Sequence, residues 1–269
     1  MVLFFATIFL ALSVAVLLVV GFFNLVIEPV YFQIFKKPVY VYFYPILKKL
    51  PQQQKRILEQ EVAFFQKLSD KKKQYFEHRM AEFLTLHQFH GQEGITVTDE
   101  MKTMIAASYV MLTFGMRYYL IDVFDKILIY PTSYYSTVKD EMHNGEFNPQ
   151  YKLIAFSWEH FKEGYEADSD NLNLGIHEFS HALHNYGMKK QNNSAAFFAE
   201  MYEQIRKDVK RPANAQRLVD SQYFRIYAFT NEFEFLAVIM EHFFETPQTF
   251  RSEFPELYLK VKRMINFTP

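Results

Sequence analysis

The sequence of 269 residues contains no cysteine and only 8 glycines, and its net charge is −1 at pH 7. The absence of cysteine excludes disulfide bonds and thiolate metal sites, although it does not decide the cellular compartment. The scarcity of glycine disfavours phosphate-cradling loops and favours a helix-rich domain. Without an excess of positive charge, composition gives no support to nucleic-acid binding. Half of the residues are hydrophobic, so one domain can bury a sizeable core.

Charge is also missing from the start of the chain. The first charged side chain is Glu28, so residues 1–27 form an uncharged, largely apolar run. At about 1.5 Å per residue, a helix of this length can cross a bilayer. A cleaved signal peptide fits poorly, because the run is too long, lacks a leading Lys or Arg, and is followed by no small-residue cleavage site. We expect residues 1–27 to be a transmembrane anchor, with a buried core helix as the alternative.

Basic residues follow this run and none precede it; they are Lys36, Lys37, Lys48 and Lys49. The positive-inside rule therefore predicts a single-pass membrane protein whose C-terminal domain lies in the cytoplasm. We interpret residues 28–50 as a juxtamembrane linker. Its aromatic stretch, Pro38–Leu47, suits either the membrane–water interface or a strand packed on the domain.

From Pro51 onward the apolar pattern is mainly helical, with two strand signals in the middle. Thr98 opens an apolar helix that runs to about Leu112. Residues 126–130 and 152–157 read as strands, and a polar loop that includes His143, Asn144 and Gly145 is expected between them. We therefore predict a mainly helical α+β domain over residues 51–269, with a small mixed sheet.

The chemistry centres on the run His177-Glu178-Phe179-Ser180-His181. On a helix, His177 and His181 lie one turn apart on the same face, and two such imidazoles can bind one Zn²⁺ at about 2.0–2.1 Å each. Glu178 then lies beside the metal, where a general base can deprotonate water. The alternative is an amphipathic helix whose histidines only cap a core, but buried ionisable groups need partners. Gly187 is expected to end this helix.

A third ligand is expected from the later run Thr230–Phe244, which is apolar nearly all round and so indicates a buried helix. Glu234 and Glu241 are seven residues apart on one face of it, where a carboxylate is costly unless it is paired or bound to metal. We assign Glu234 as the third ligand and Glu241 as the acceptor for a ligand imidazole N–H. The alternative for Glu234 is a capping box with Asn231.

Several motifs resemble the Mlc titration factor A family of zinc peptidases, which is related in fold to the protease domain of lethal factor. The matching stretches are 95–102, 127–131, 155–158, Asp170 and Asn173 before the histidine motif, and 227–244. The resemblance extends from about residue 50 to about residue 265. At position 184 the chain departs from the family, which usually has aspartate where this sequence has His184.

The resemblance implies a zincin-like metallopeptidase domain with one zinc ion. In that reading His177, His181 and Glu234 bind zinc, Glu178 is the general base, and Tyr227 serves in catalysis. A phenol at Tyr227 would donate a hydrogen bond to the developing oxyanion. Without the resemblance, a core tyrosine would be the default interpretation of Tyr227.

Three functions fit these observations. The first is a membrane-anchored zinc peptidase that hydrolyses peptide or protein substrates through a zinc-activated water. The second, suggested by the resemblance, is a regulatory binding protein that sequesters a transcriptional regulator with little or no catalysis. The third is a structural membrane protein, which leaves the ligand set unexplained. Glu178 favours the first function, because a binding protein has no need of a general base.

Overall fold

The computed structural model describes residues 2–136, 140–166, 170–190 and 192–267, which fall into two compact units, Met1–Val41 and Tyr42–Pro269. In the first unit, helix α1 (Val2–Phe22) continues through a π-helical turn (Phe23–Ile27) into helix α2 (Glu28–Phe35). The described segment Phe4–Phe35 is long and apolar enough to cross a membrane by length and composition, and an 18-residue window within it has a mean hydropathy of 2.7. An N-terminal signal sequence would meet the same criteria.

The second unit is mainly helical. Its helices are α3 (Gln52–Glu61), α4 (Ala63–Gln66), α5 (Asp70–Leu86), α6 (Asp99–Thr113), α7 (Trp158–Glu166), α8 (Leu174–Lys189), α9 (Asn193–Val209), α10 (Pro212–Asp220), a 3-10 helix (Ile226–Phe229), α11 (Glu232–Glu245), α12 (Pro247–Glu253) and α13 (Pro255–Met264). Its strands are β1 (Gln88–Gly91), β2 (Lys126–Tyr130), β3 (Tyr134–Ser136), β4 (Glu141–His143), β5 (Gly145–Asn148) and β6 (Leu153–Ser157). The expected mainly helical α+β architecture with a small mixed sheet is confirmed.

Four strands form one mixed sheet in the order β1-β2-β6-β5. Strands β1, β2 and β6 are parallel, β5 runs antiparallel to β6 at the edge, and β3 pairs with β4 in a separate hairpin. The two strands expected from the sequence correspond to β2 and β6. The expectation of a loop around Gly145 is wrong, because this residue begins β5.

Polar side chains on the buried face of β5 explain why its sequence does not read as a strand. Glu146 and Asn148 are both buried. The Ser136 hydroxyl and the Asn148 amide donate hydrogen bonds of 2.7 and 3.1 Å to the Glu146 carboxylate. These hydrogen bonds offset the cost of burying the two polar side chains. Strand β5 therefore forms although its sequence lacks the alternation of apolar and polar residues that predicts a strand.

Helix α8 lies at the centre of this unit and packs against α6, α9, α11 and the sheet. The expectation that Gly187 ends the helix is wrong, since α8 continues to Lys189. A β-carbon at Gly187 would lie 2.5 Å from Cδ1 of Phe198. Glycine at this position therefore permits the close approach of α9. It does not end the helix in a left-handed conformation.

The part of the aromatic stretch that belongs to the second unit begins at Tyr42 and does not form a strand. The ring of Tyr42 stacks on Tyr75 at 4.8 Å, and its hydroxyl donates a 3.0 Å hydrogen bond to the carbonyl of Phe114. The Tyr44 hydroxyl accepts a 2.6 Å hydrogen bond from Nε of the fully buried Arg79. These two tyrosines thus belong to the folded unit.

Candidate metal centre

Within the described ranges, one group of three side chains can hold a metal ion, and it consists of His177, His181 and Glu234. Their donor atoms lie within 4.8 Å of one another. Oε2 of Glu234 is 3.0 Å from Nε2 of His177 and 3.6 Å from Nε2 of His181. The two imidazole rings face this carboxylate from successive turns of α8, with centroids 4.8 Å apart.

Side-chain caps define the starts of both helices that carry these donors. The Asn173 side chain accepts a 2.9 Å hydrogen bond from the backbone N–H of Ile176 and so caps α8. The Asn231 side chain accepts from the N–H groups of Phe233 and Glu234 and caps α11. Because the Glu234 carboxylate points to the two histidines, Glu234 does not serve as the returning half of a capping box.

Glu178 is buried and sits between α8 and the edge strand. An added β-carbon at Gly145 would lie 2.7 Å from Oε1 of Glu178 and 2.8 Å from its Cγ. Glu178 also lines a cleft with a volume of about 420 Å³, as does His177. The rest of the cleft is formed by β4, β5, α7, α8, α11 and the segments before these last two helices. Its other lining residues are Met142, His143, Asn144, Gly145, His160, Glu163, Gly164, Asp170, Leu172, Leu174, Arg225, Tyr227 and Glu241.

Glu241 lies on the opposite side of His177 from Glu234. Its carboxylate is fully buried, and Oε1 is 2.5 Å from Nδ1 of His177. The guanidinium of Arg225 donates to both carboxylate oxygens, at 2.6 and 2.9 Å, and also donates a 2.5 Å hydrogen bond to the carbonyl of Asn171. Glu241 thus contacts the nitrogen of His177 that does not face Glu234.

The electrostatics of the group are dominated by these charged hydrogen bonds. Burial acts to lower the pKa of His177, but hydrogen bonds to Glu234 and Glu241 outweigh it and raise the pKa to about 10. Burial acts to raise the pKa of Glu234, yet hydrogen bonds with His177 and His181 bring it well below its usual range. A doubly protonated His177 ring can therefore donate one N–H to each carboxylate, from Nδ1 to Glu241 and from Nε2 to Glu234.

Tyr227 lies in the 3-10 helix immediately before α11. Its ring centroid is 6.0 Å from that of His177, and the guanidinium carbon of Arg225 is 5.8 Å from the ring. Burial and the neighbouring Glu234 carboxylate, which also hydrogen-bonds the phenol, raise the pKa of Tyr227. The phenol consequently keeps its proton at neutral pH and can act as a hydrogen-bond donor.

His184, where the chain departs from the family pattern, packs among aromatic rings. Its ring centroid is 4.5 Å from that of Tyr202 and 4.9 Å from that of Phe233. Burial, reinforced by nearby His181, lowers the pKa of His184 to about 4. A neutral, aromatic-packed imidazole thus occupies the position.

The residues expected from the sequence are brought together, and the structure adds three that sequence reasoning missed. His177, Glu178, His181, Tyr227, Glu234 and Glu241 all lie in this region. Arg225, Asn171 and the close approach of Gly145 were not anticipated. A basic residue 16 positions before a buried acid is too common a pattern to identify a pair, so only the fold reveals the role of Arg225.

A helix carrying His-Glu-x-x-His, joined by a carboxylate from a later helix, is the arrangement of metal-dependent peptidases. Residues 46–265 match the family described as glucose-regulated metallo-peptidase M90, and the chain belongs to this family. It is 26% identical over 247 residues to an uncharacterized protein of Synechocystis sp., which covers 82% of this chain and 86% of that protein. It is 23% identical over 203 residues to Mlc titration factor A of Serratia proteamaculans, which covers 66% and 73%, respectively. The resemblance noted from the motifs is thus confirmed.

Proposed function

We propose that the chain is a membrane-anchored, zinc-dependent peptidase. The observation that carries this proposal is the meeting of His177, His181 and Glu234 beside the buried Glu178. Two donors about 2.0–2.1 Å from a tetrahedral zinc ion lie roughly 3.3 Å apart. The two nitrogen–oxygen distances, 3.0 and 3.6 Å, bracket that value. Two imidazoles and one carboxylate, with no thiolate, also match a catalytic zinc site.

Each side chain then has one role in peptide-bond hydrolysis. Zinc supplies electrophilic activation of a water molecule and of the scissile carbonyl. The Glu178 carboxylate accepts the proton of that water and delivers it to the leaving nitrogen. The Tyr227 hydroxyl donates a hydrogen bond to the carbonyl oxygen as negative charge develops there.

The cleft suits an extended peptide. Strand β5 forms one edge of the sheet and begins at Gly145, next to Glu178, so an extended substrate can add to it by backbone hydrogen bonding. Apolar side chains are exposed around the site, including Met142 and Leu172 in the cleft and Ile226 next to Tyr227. Exposed apolar groups at a cleft mark a binding surface, and we assign to it substrates with apolar side chains.

The hydropathy of Phe4–Phe35 supports the anchor. Of the two functions this helix can serve, we assign a retained anchor, because no small-residue cleavage site follows the apolar run. Lys36, Lys37, Lys48 and Lys49 then place the peptidase domain in the cytoplasm. Protease added to intact cells that express the chain should spare the domain, and rapid digestion would reverse the orientation.

The activity is tested on the full chain in detergent, by measuring zinc content together with turnover of a peptide library. We expect one zinc per chain and hydrolysis of peptides. Glu178→Gln should retain zinc and lose turnover by about 10²–10⁴-fold, since the residue acts as base and does not bind the metal. Wild-type protein with a full complement of zinc and no turnover of any peptide would refute the proposal.

A second candidate is a regulatory binding protein. The similarity to Mlc titration factor A favours it, because that name describes a factor that titrates Mlc. In this case Glu178→Gln would leave the biological effect intact. Comparison of wild type and Glu178→Gln in cells thus separates the two functions, and loss of effect in the variant supports catalysis.

A further inference from the structure

Arg225 immediately precedes the 3-10 helix and contacts three separate parts of the metal centre. Its guanidinium binds both oxygens of Glu241 in α11, at 2.6 and 2.9 Å. The same group donates to the carbonyl of Asn171, in the segment before α8, and lies 5.8 Å from the ring centroid of Tyr227. One side chain therefore connects the two ligand-bearing helices with the segment that carries the phenol.

Glu241 depends on this guanidinium because it is fully buried. Its Oε1 atom contacts both Nδ1 of His177 and Nη2 of Arg225, while Oε2 accepts from Nη1. Two parallel N–H···O bonds fix the plane of a carboxylate, which a single bond cannot do. A buried carboxylate that lost this partner would be left with the imidazole alone, at a large desolvation cost.

The orientation of Glu241 matters because it sets the orientation of His177. An imidazole that binds metal through Nε2 carries its proton on Nδ1, and the acceptor of that proton fixes both the tautomer and the ring plane. Glu241 is that acceptor, at 2.5 Å. A shift of the Glu241 carboxylate would thus rotate the His177 ring away from Glu234 and His181.

We propose that Arg225 is a positioning residue of the metal centre, which acts through Glu241 to hold His177 in its ligand geometry. This inference rests on the proposed zinc site. Arg225 does not itself ligate the metal. Its proposed effect is on zinc affinity, which can be measured whether or not the chain hydrolyses peptides. The competing interpretation is an ion pair that stabilises the fold and leaves the metal site unaffected.

A double-mutant cycle distinguishes these interpretations. Zinc dissociation constants are measured by chelator competition on the full chain in detergent, for wild type, Arg225→Gln, Glu241→Gln and the double variant. We expect each single variant to bind zinc about 10–100-fold more weakly, as for other residues that orient a metal ligand. If Arg225 acts through Glu241, the double variant binds no more weakly than the weaker single variant.

Arg217 provides the matched control. Like Arg225, it donates to a backbone carbonyl, that of Glu253 at 2.9 Å, and its guanidinium lies over an aromatic ring, that of Phe254 at 5.2 Å. Arg217→Gln should lower the thermal midpoint of the zinc-free chain without altering zinc affinity. Arg225→Lys keeps the charge but loses the paired hydrogen bonds, so its affinity should fall between those of wild type and Arg225→Gln.

Wild-type affinity in Arg225→Gln, or losses that multiply in the double variant, would overturn the inference. Should Arg225→Gln not fold, the Arg225→Lys and Arg225→Lys/Glu241→Gln pair repeats the comparison. A wild-type chain that binds zinc but hydrolyses no peptide would refute the proposed function alone, since the cycle uses only affinities.

Discussion

Gly145 and Glu178 are in direct contact across the junction of β5 and α8: a β-carbon at Gly145 would lie 2.7 Å from Oε1 of Glu178. The edge strand can approach the glutamate because its first residue has no side chain. Gly145→Ala should therefore displace the Glu178 carboxylate and lower kcat by about 10²-fold, the loss expected from an error of about 1 Å in a catalytic group. Zinc content should be unchanged. Both quantities are measured on the full chain.

Gly187→Ala is the control for this prediction. It introduces a similar clash on α8, 2.5 Å from Cδ1 of Phe198, but at the interface with α9. The thermal midpoint should fall while kcat per zinc-loaded chain stays at the wild-type value. Equal kcat for Gly145→Ala and wild type would contradict the proposed position of the base.

Tyr227→Phe should reduce kcat by about 10²–10³-fold, the usual effect of removing one oxyanion donor, with little change in KM. The phenol stays protonated at neutral pH, because burial and the Glu234 carboxylate raise its pKa. Tyr223→Phe is the control, since that hydroxyl lies 3.4 Å from the Thr246 hydroxyl and makes no contact with the ligands. Steady-state kinetics on both variants test this prediction. Identical kcat values for Tyr227→Phe and wild type would mean that Tyr227 contributes to packing and not to catalysis.

Glu234→Ala should abolish zinc binding, whereas Glu241→Ala should weaken it only about 10–100-fold. Glu234 faces Nε2 of both histidines, while the histidine nitrogen that Glu241 contacts is Nδ1 of His177, on the far side of the ring. One ion cannot be bound by Nε2 of His177 and also by a carboxylate at its Nδ1. Zinc affinities by chelator competition test the order, and the reverse order would make Glu241 the ligand.

Glu245 should make stability depend on pH. Burial raises its pKa from 4.5 to about 8, and the carboxylates of Glu241 and Asp170 act in the same direction. A raised pKa means that the folded state holds the proton more tightly, so the contribution is complete below about pH 4.5 and is lost as the pH rises through 8. Glu245→Gln should flatten the decline of the thermal midpoint between pH 5 and 8. Glu203→Gln, at an exposed ion pair, should leave that decline unchanged, and equal slopes in all three proteins would contradict the prediction.

Part of the fold can be predicted from local sequence patterns. Thr98 was expected to open a helix, and its hydroxyl accepts a hydrogen bond from the N–H of Met101 at the start of α6. Strands β2 and β6 were readable because they are apolar, with Ile127 and Ile154 fully buried. Strand β5 was not, because its inward side chains Glu146 and Asn148 are polar and are satisfied by hydrogen bonds that depend on tertiary contacts.

The sequence by itself determined the features that depend on neighbours along the chain: the uncharged N-terminal helix, the pairing of His177 with His181 on one helix face, and Glu178 beside them. These follow from the length of an apolar run and from 3.6 residues per helical turn. The sequence also favoured Glu234 as a ligand and Glu241 as an imidazole partner, but only the tertiary structure decided that Glu241 contacts His177 and that Arg225 pairs with Glu241. Glu241 is 64 residues from His177 along the chain, and Arg225 is 48 residues from it. Such distant groups meet because α8 packs against α11 and the sheet. This packing depends on the whole buried core, so no local sequence pattern predicts it.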